Sequence, residues 1–134
     1  GGMMIYQSFS GDAADSDATA QQASMTIGNS TITSSTNSPM IYVTNTTCQV
    51  QVTASTLQHP DAAVLLYLDE DRWGPAGNNG GHAEVTFTNC TLNGTMQAGS
   101  TSSATVALKE GTELTGTTSG PITVTQDTTS SWSS

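Results

Sequence analysis

Three segments of this chain align without a gap: MTIGNSTIT from Met25, VQVTASTLQ from Val50 and VTFTNCTLN from Val85. Each reads apolar, polar, apolar, two polar or small residues, then Ser or Cys, Thr and an aliphatic. The equivalent positions are Met25, Val50 and Val85; Ile27, Val52 and Phe87; Ser30, Ser55 and Cys90; Thr31, Thr56 and Thr91; Ile32, Leu57 and Leu92. A fourth copy, VALKEGTELTG from Val106, needs one extra residue before Leu114. A fifth, ITVTQDTTSSW from Ile122, is looser and reaches an apolar residue only at Trp132. Such recurrence marks a repeat architecture, in which each unit buries its apolar face against its neighbours.

The first strand of each copy alternates with period two, so one of its faces is buried. A turn of small residues follows, then a second short strand. A third strand is visible as PMIYVTN (39–45) and AAVLLYLDE (62–70), with GTMQAGS after Leu92 as a shorter candidate. Strand, turn, strand, loop, strand is how a right-handed parallel β-helix is built, each coil stacking on the next at about 4.8 Å. The expected fold is therefore all-β, a β-helix of about four to five coils, forming a single domain over 1–134. The spacing is uneven: 25 residues separate Ile27 from Val52, 35 separate Val52 from Phe87, 21 separate Phe87 from Leu108 and 16 separate Leu108 from Val124. Solenoids tolerate this, because strands keep register and loops absorb insertions. The rival is a β-sandwich, which also has short strands between turns. Against it, like residues recur at like positions, and Asn93-Gly94 is the one Asn-Gly hairpin candidate.

Charge narrows the partners. Two Lys or Arg stand against 11 acids, for a formal charge of -9 and a pI near 4.1. Nucleic acid needs many cations to neutralise its phosphates, so it is excluded. Anionic membrane surfaces and acidic polysaccharides are disfavoured for the same reason. No apolar run is long enough to span a membrane. Gly1-Gly2 before Met3 reads as a cloning scar, and the end at Ser134, directly after a patterned segment, reads as a cut in a longer repeat protein.

MIYQSFSGDAADSDAT (4–19), MIYVTNTT (40–47) and RWGPAGNNGGHAEVTFTN (72–89) resemble secreted, adhesin-like right-handed parallel β-helix proteins of bacterial surfaces, solenoids similar to pectate lyases. ITVTQDTTSSW resembles the further coils of that family. The resemblance covers most of 4–132 and rests on coil and loop motifs, none of them catalytic. It implies an extracellular or cell-surface setting and adhesion or scaffolding, with a host or matrix glycan or protein as partner.

The most chemical stretch is LDEDRWGPAGNNGGH, 68–82, inside the longest interval between copies. A P-loop needs Lys and Ser or Thr after its glycines, and neither is present. A dinucleotide loop opens a helix, whereas a strand, AEVTFT, follows here. Asp69 and Asp71, and separately Asp12, Asp15 and Asp17 in GDAADSD, offer the hard oxygens that Ca²⁺ takes. The competing reading for both groups is solvated loop acids. Trp73 is the candidate sugar platform, with Tyr67, Asp71 and Asn78 near it in sequence and Arg72, Asn79 and His82 as further candidate ligand-binding residues. The alternative has Trp73 fold back onto the solenoid side.

Catalysis finds little support. A uronic-acid lyase needs a basic residue, and Arg72 and Lys109 lie 37 residues apart in different loops. A glycoside hydrolase needs two carboxylates across a cleft, and no motif selects a pair. His82 beside two glycines is a candidate base, while His59 precedes a turn proline. Cys48 should point inward with Val50 and Val52. Cys90 falls at a turn in the Ser column, so two buried, unpaired thiols are expected, with a disulfide between adjacent coils as the alternative. Tyr6 and Tyr42 read as core or ladder residues, and Trp132 as a last-coil position. Four N-x-S/T sequons at Asn29, Asn45, Asn89 and Asn93 read as products of Asn and Thr richness. Outward Thr ladders for ice binding are not expected, because TIT, TFT and TVT occupy different columns. Apart from Ca²⁺ no cofactor is expected. The open strand edges of such a stack should be capped by residues before Ser24 or met by end-to-end contact with another copy.

Overall fold

A computed structural model of the chain describes residues 2–6, 23–34, 38–58, 63–72 and 76–134. It is all-β, with no helix among the described residues. The chain visits three sheets in strict rotation. The first rung is β1 (Met3–Tyr6), β2 (Ala23–Gly28) and β3 (Thr31–Thr33). The second is β4 (Ile41–Thr44), β5 (Thr46–Thr53) and β6 (Thr56–Gln58). The third is β7 (Val64–Leu68), β8 (Gly81–Thr88) and β9 (Thr91–Asn93). The fourth is β10 (Thr95–Ala98), β11 (Ser103–Lys109) and β12 (Glu113–Thr115). The fifth is β13 (Thr118–Ser119), β14 (Ile122–Gln126) and β15 (Ser131–Ser133). The first, second and third strands of each rung form sheets A, B and C, each five-stranded. Every pairing between these strands is parallel. This arrangement is consistent with a parallel β-helix, and among the described residues it lacks the antiparallel hairpins of the rival sandwich.

The columns read from the sequence are the register of the sheets. Met25, Val50, Val85, Val106 and Val124 pair in sheet B, as do Ile27, Val52, Phe87, Leu108 and Gln126. Ile32, Leu57, Leu92, Leu114 and Trp132 do so in sheet C. The loose fifth copy is therefore in full register, and it carries the same extra corner residue as the fourth. Alternation buries one face of each strand: Val50, Val52, Leu57, Phe87, Val106 and Leu108 are at most 1% exposed. One sequence likeness misleads. MIYQ and MIYV do not align on each other. Ile5 pairs with Val43 and Tyr6 with Thr44, a slip of two residues that preserves the buried face. Tyr6 is accordingly 45% exposed, neither core nor part of a tyrosine ladder.

In the first four rungs the corner between sheets B and C has one design. Asn29, Ala54, Asn89 and Glu110 all have φ between 50° and 54°, the left-handed region that Asn tolerates best among non-glycine residues. The next column binds rung to rung. Ser55 Oγ accepts the Ser30 N–H at 3.1 Å and donates to the Thr53 carbonyl at 2.9 Å. Thr112 Oγ1 accepts the Cys90 N–H at 3.1 Å, and the Cys90 thiol faces the Val52 and Thr88 carbonyls at 3.3 Å. Ser130 Oγ accepts the Thr112 N–H at 3.2 Å. A small donor-acceptor side chain is what this buried corner needs, which explains why Ser, Cys and Thr exchange there. Both thiols are free and buried, as expected from their different columns. Burial pushes the Cys48 thiol up to about 11 and raises that of Cys90 as well.

The corner from sheet C to sheet A varies instead. Asn93-Gly94 is not a hairpin turn. Gly94, at φ 130°, alone links β9 to β10, and a Cβ there would lie 2.9 Å from the Leu65 Cβ.

Candidate functional site: an anchored loop at one corner

The corner from sheet A to sheet B carries the insertion. In the second rung Asn45 alone makes it, at φ 51°. In the third the chain leaves β7 at Leu68 and returns only at Gly81. It resumes in perfect register, Thr46 opposite Gly81 and Thr47 opposite His82. The two glycines at the return are set by close approach. A Cβ on Gly80 would lie 2.1 Å from the Thr101 carbonyl oxygen, and one on Gly81 the same distance from that of Val43.

Two tyrosines hold the start of the loop. Tyr42 and Tyr67 are register partners on the outer face of sheet A, with rings stacked at 5.4 Å and 21°. The Tyr67 hydroxyl donates to Asp69 Oδ2 and the Tyr42 hydroxyl to Asp71 Oδ2, both at 2.6 Å. The second oxygen of each aspartate accepts the following backbone N–H, from Glu70 at 2.8 Å and from Arg72 at 2.7 Å. Glu70 points elsewhere. Its Oε1 accepts the Gly77 N–H at 2.8 Å, and its Oε2 accepts the Thr101 hydroxyl from the next rung. Asn79, 1% exposed, donates its side-chain N–H to the Asp71 carbonyl, and its own backbone carbonyl accepts the Asn45 N–H at 2.9 Å. The loop is therefore laced to the rungs on both sides.

This lacing shows in the titration of its members. The hydrogen bond to Asp69, with burial, pushes the Tyr67 hydroxyl up to about 12. Burial and the Asp71 contact raise that of Tyr42 further. The Tyr42 hydroxyl in turn lowers the Asp71 carboxyl below its ordinary range.

Neither the family models, nor the curated proteins, nor the solved structures compared with this chain match it.

The candidate residues therefore stand on their geometry. Asp71 and Asn79 belong to the anchor. Arg72 and Asn78 are exposed on the loop. His82 is the second residue of β8, half-buried, its Nδ1 2.8 Å from the Ser103 hydroxyl on the neighbouring strand. Trp73 and the acids Asp12, Asp15 and Asp17 lie outside the described residues. Asp69 and Asp71 already accept one hydrogen bond on every carboxylate oxygen. Among the described residues no group of three or more His, Cys, Asp or Glu is gathered as a metal site. A groove of about 480 Å³ lies elsewhere, on sheet C, lined by Thr33, Leu57, Gln58, Thr91, Leu92, Asn93 and Thr115. It holds no titratable side chain with which to move a proton.

Of the anchoring tyrosines, Tyr67 is legible in the sequence only as a neighbour of Trp73, and Tyr42 only as a core or ladder residue. The available signal was that Tyr42 and Tyr67 each sit at an outward position of a sheet A strand, with acids following the second.

Proposed function

We propose that this chain is a non-catalytic module of a secreted bacterial surface protein, a right-handed parallel β-helix that scaffolds a recognition loop for a host or matrix glycan or protein. The right hand follows from the strong chiral preference of parallel crossovers between twisted strands. The extracellular setting and the adhesin-like role follow from the resemblance of 4–19, 40–47 and 72–89.

One observation carries the recognition role. The acids of the 69–80 loop are used to fix it, and Arg72 and Asn78 stand exposed on this held projection, with Trp73 next in the chain. A pre-ordered loop loses less entropy on binding than a free one, and an aromatic beside polar groups suits a sugar face. A glycan array probed with the wild-type protein, Trp73→Ala and Arg72→Ala tests this. Signal lost in both variants supports a glycan-binding loop. Equal signal in all three moves recognition off the loop, and no signal from the wild type leaves the scaffold role with a protein partner. Melting with and without a chelator tests the role of Ca²⁺ separately: an unchanged transition removes the ion from the account.

A further inference from the structure

The outer face of sheet C differs from the rest of this acidic molecule. Its strands read TIT, TLQ, TLN, ELT and SWS, so Glu113 is their one charged residue, in a chain with 11 acids. In the first four, alternation turns the central aliphatic inward and leaves the residues on either side of it outward. Pairing then stacks these from rung to rung. Thr33 lies opposite Gln58 and Asn93 opposite Thr115, while the pairing of Leu57 with Leu92 sets Gln58 beside Asn93. The result is a row of uncharged polar side chains that crosses four rungs. Thr33, Gln58 and Thr115 are exposed, and Asn93 is half-buried.

This row, with the exposed Thr91, lines the groove of about 480 Å³, over the buried Leu57 and Leu92. The volume falls in the range of small-molecule sites. Asn93 and Thr115 are each followed by a glycine, Gly94 and Gly116, which adds no side chain at that margin.

We propose that this groove binds an extended, uncharged polysaccharide, such as a β-1,4-linked glucan, lying across the strands of sheet C. Spacing, chemistry and charge select this ligand. The side chains of the row repeat at the strand spacing of about 4.8 Å, close to the length of one pyranose unit in an extended chain, so one unit can face each rung. Every polar side chain lining the groove is a hydroxyl or a carboxamide, which both donates and accepts, as sugar hydroxyls do. No cation lines it to meet a uronate or a sulfate, and a body of formal charge -9 repels both. No aromatic ring lines it either, so each unit contributes little and affinity should grow with chain length until the four rungs are filled. The site is separate from the 69–80 loop, which leaves from the corner between sheets A and B.

Native electrophoresis of the full chain through gels containing hydroxyethyl cellulose tests this, with carboxymethyl cellulose as the anionic comparison. Relative to an inert marker, the wild type should be retarded by the neutral polymer and much less by the charged one. Gln58→Ala and Thr115→Ala together should weaken binding at least about tenfold, through the loss of two hydrogen-bonding side chains. Trp73→Ala should leave it unchanged. Gln58→Glu places a charge in the groove at nearly constant size, and it replaces the double variant if that protein loses its cooperative melt. Calorimetric titration with cello-oligosaccharides of increasing length should show affinity rising to about four units and then levelling. A wild type that the neutral polymer does not retard overturns the proposal. So does retardation that the folded groove variants keep in full, or that Trp73→Ala alone abolishes, which would give the glycan to the loop.

Discussion

The second and third rungs turn the same corner in opposite ways. One passes from sheet A to sheet B through Asn45 alone, in the left-handed region. The other takes residues 69–80 and then rejoins the sheet with no change of register. The short corner is held by backbone conformation. The long one is held by side chains: two tyrosines, three acids and Asn79. In-register parallel stacking fixes where a chain must leave and return, and the pairing leaves what lies between unconstrained.

Breaking the return point should cost most. Gly81→Ala drives a Cβ against the Val43 carbonyl, backbone against backbone. We expect a loss of about 3 kcal/mol, read by chemical denaturation. Gly28→Ala, with nothing within 4 Å of the added carbon, should be nearly silent. The short corner should be next. Asn45→Ala, at φ 51° and buried, should lose about 1.5 kcal/mol from left-handed strain.

The long corner should respond to pH in a way the short one does not. The Tyr67 hydroxyl titrates at about 12 in the fold against an ordinary 10.0. Its contribution is therefore full below pH 10 and is lost as pH rises towards 12. The Asp71 carboxyl is lowered, so its contribution is present above its ordinary 3.8 and lost as pH falls further. Tyr67→Phe should lower stability by about 1 kcal/mol at neutral pH and flatten the alkaline limb of a melting-temperature profile. An unchanged alkaline limb would rule out the tyrosine–aspartate anchor. The smallest effect sharpens the comparison at the other corner. Ala54 shares the left-handed position of Asn29 and Asn89, so Ala54→Asn should stabilise by about 0.5 kcal/mol, seen as a higher melting midpoint.

Much of the fold is legible in the order of residues alone. The sheet B and sheet C columns follow from period two and from a near-constant corner, so equivalent residues can be matched by counting. Cys90 joins the Ser column by the same counting. Sheet A is harder, because variable insertions stand on both sides of it, and the MIYQ and MIYV likeness is displaced by two residues in the pairing. The loop acids are visible as a cluster but not as an anchor. The Tyr42 contact with Asp71 spans 29 positions, and nothing local announces it.

The sequence by itself determined that the chain holds about four to five repeats, the buried columns of sheets B and C and the place of the long insertion, because alternation and repeat spacing are local properties that survive unequal loops. Only the tertiary structure decided what the acids of that insertion do. Their partners, Tyr42 and Thr101, belong to the rungs on either side, and stacking brings them within hydrogen-bonding distance.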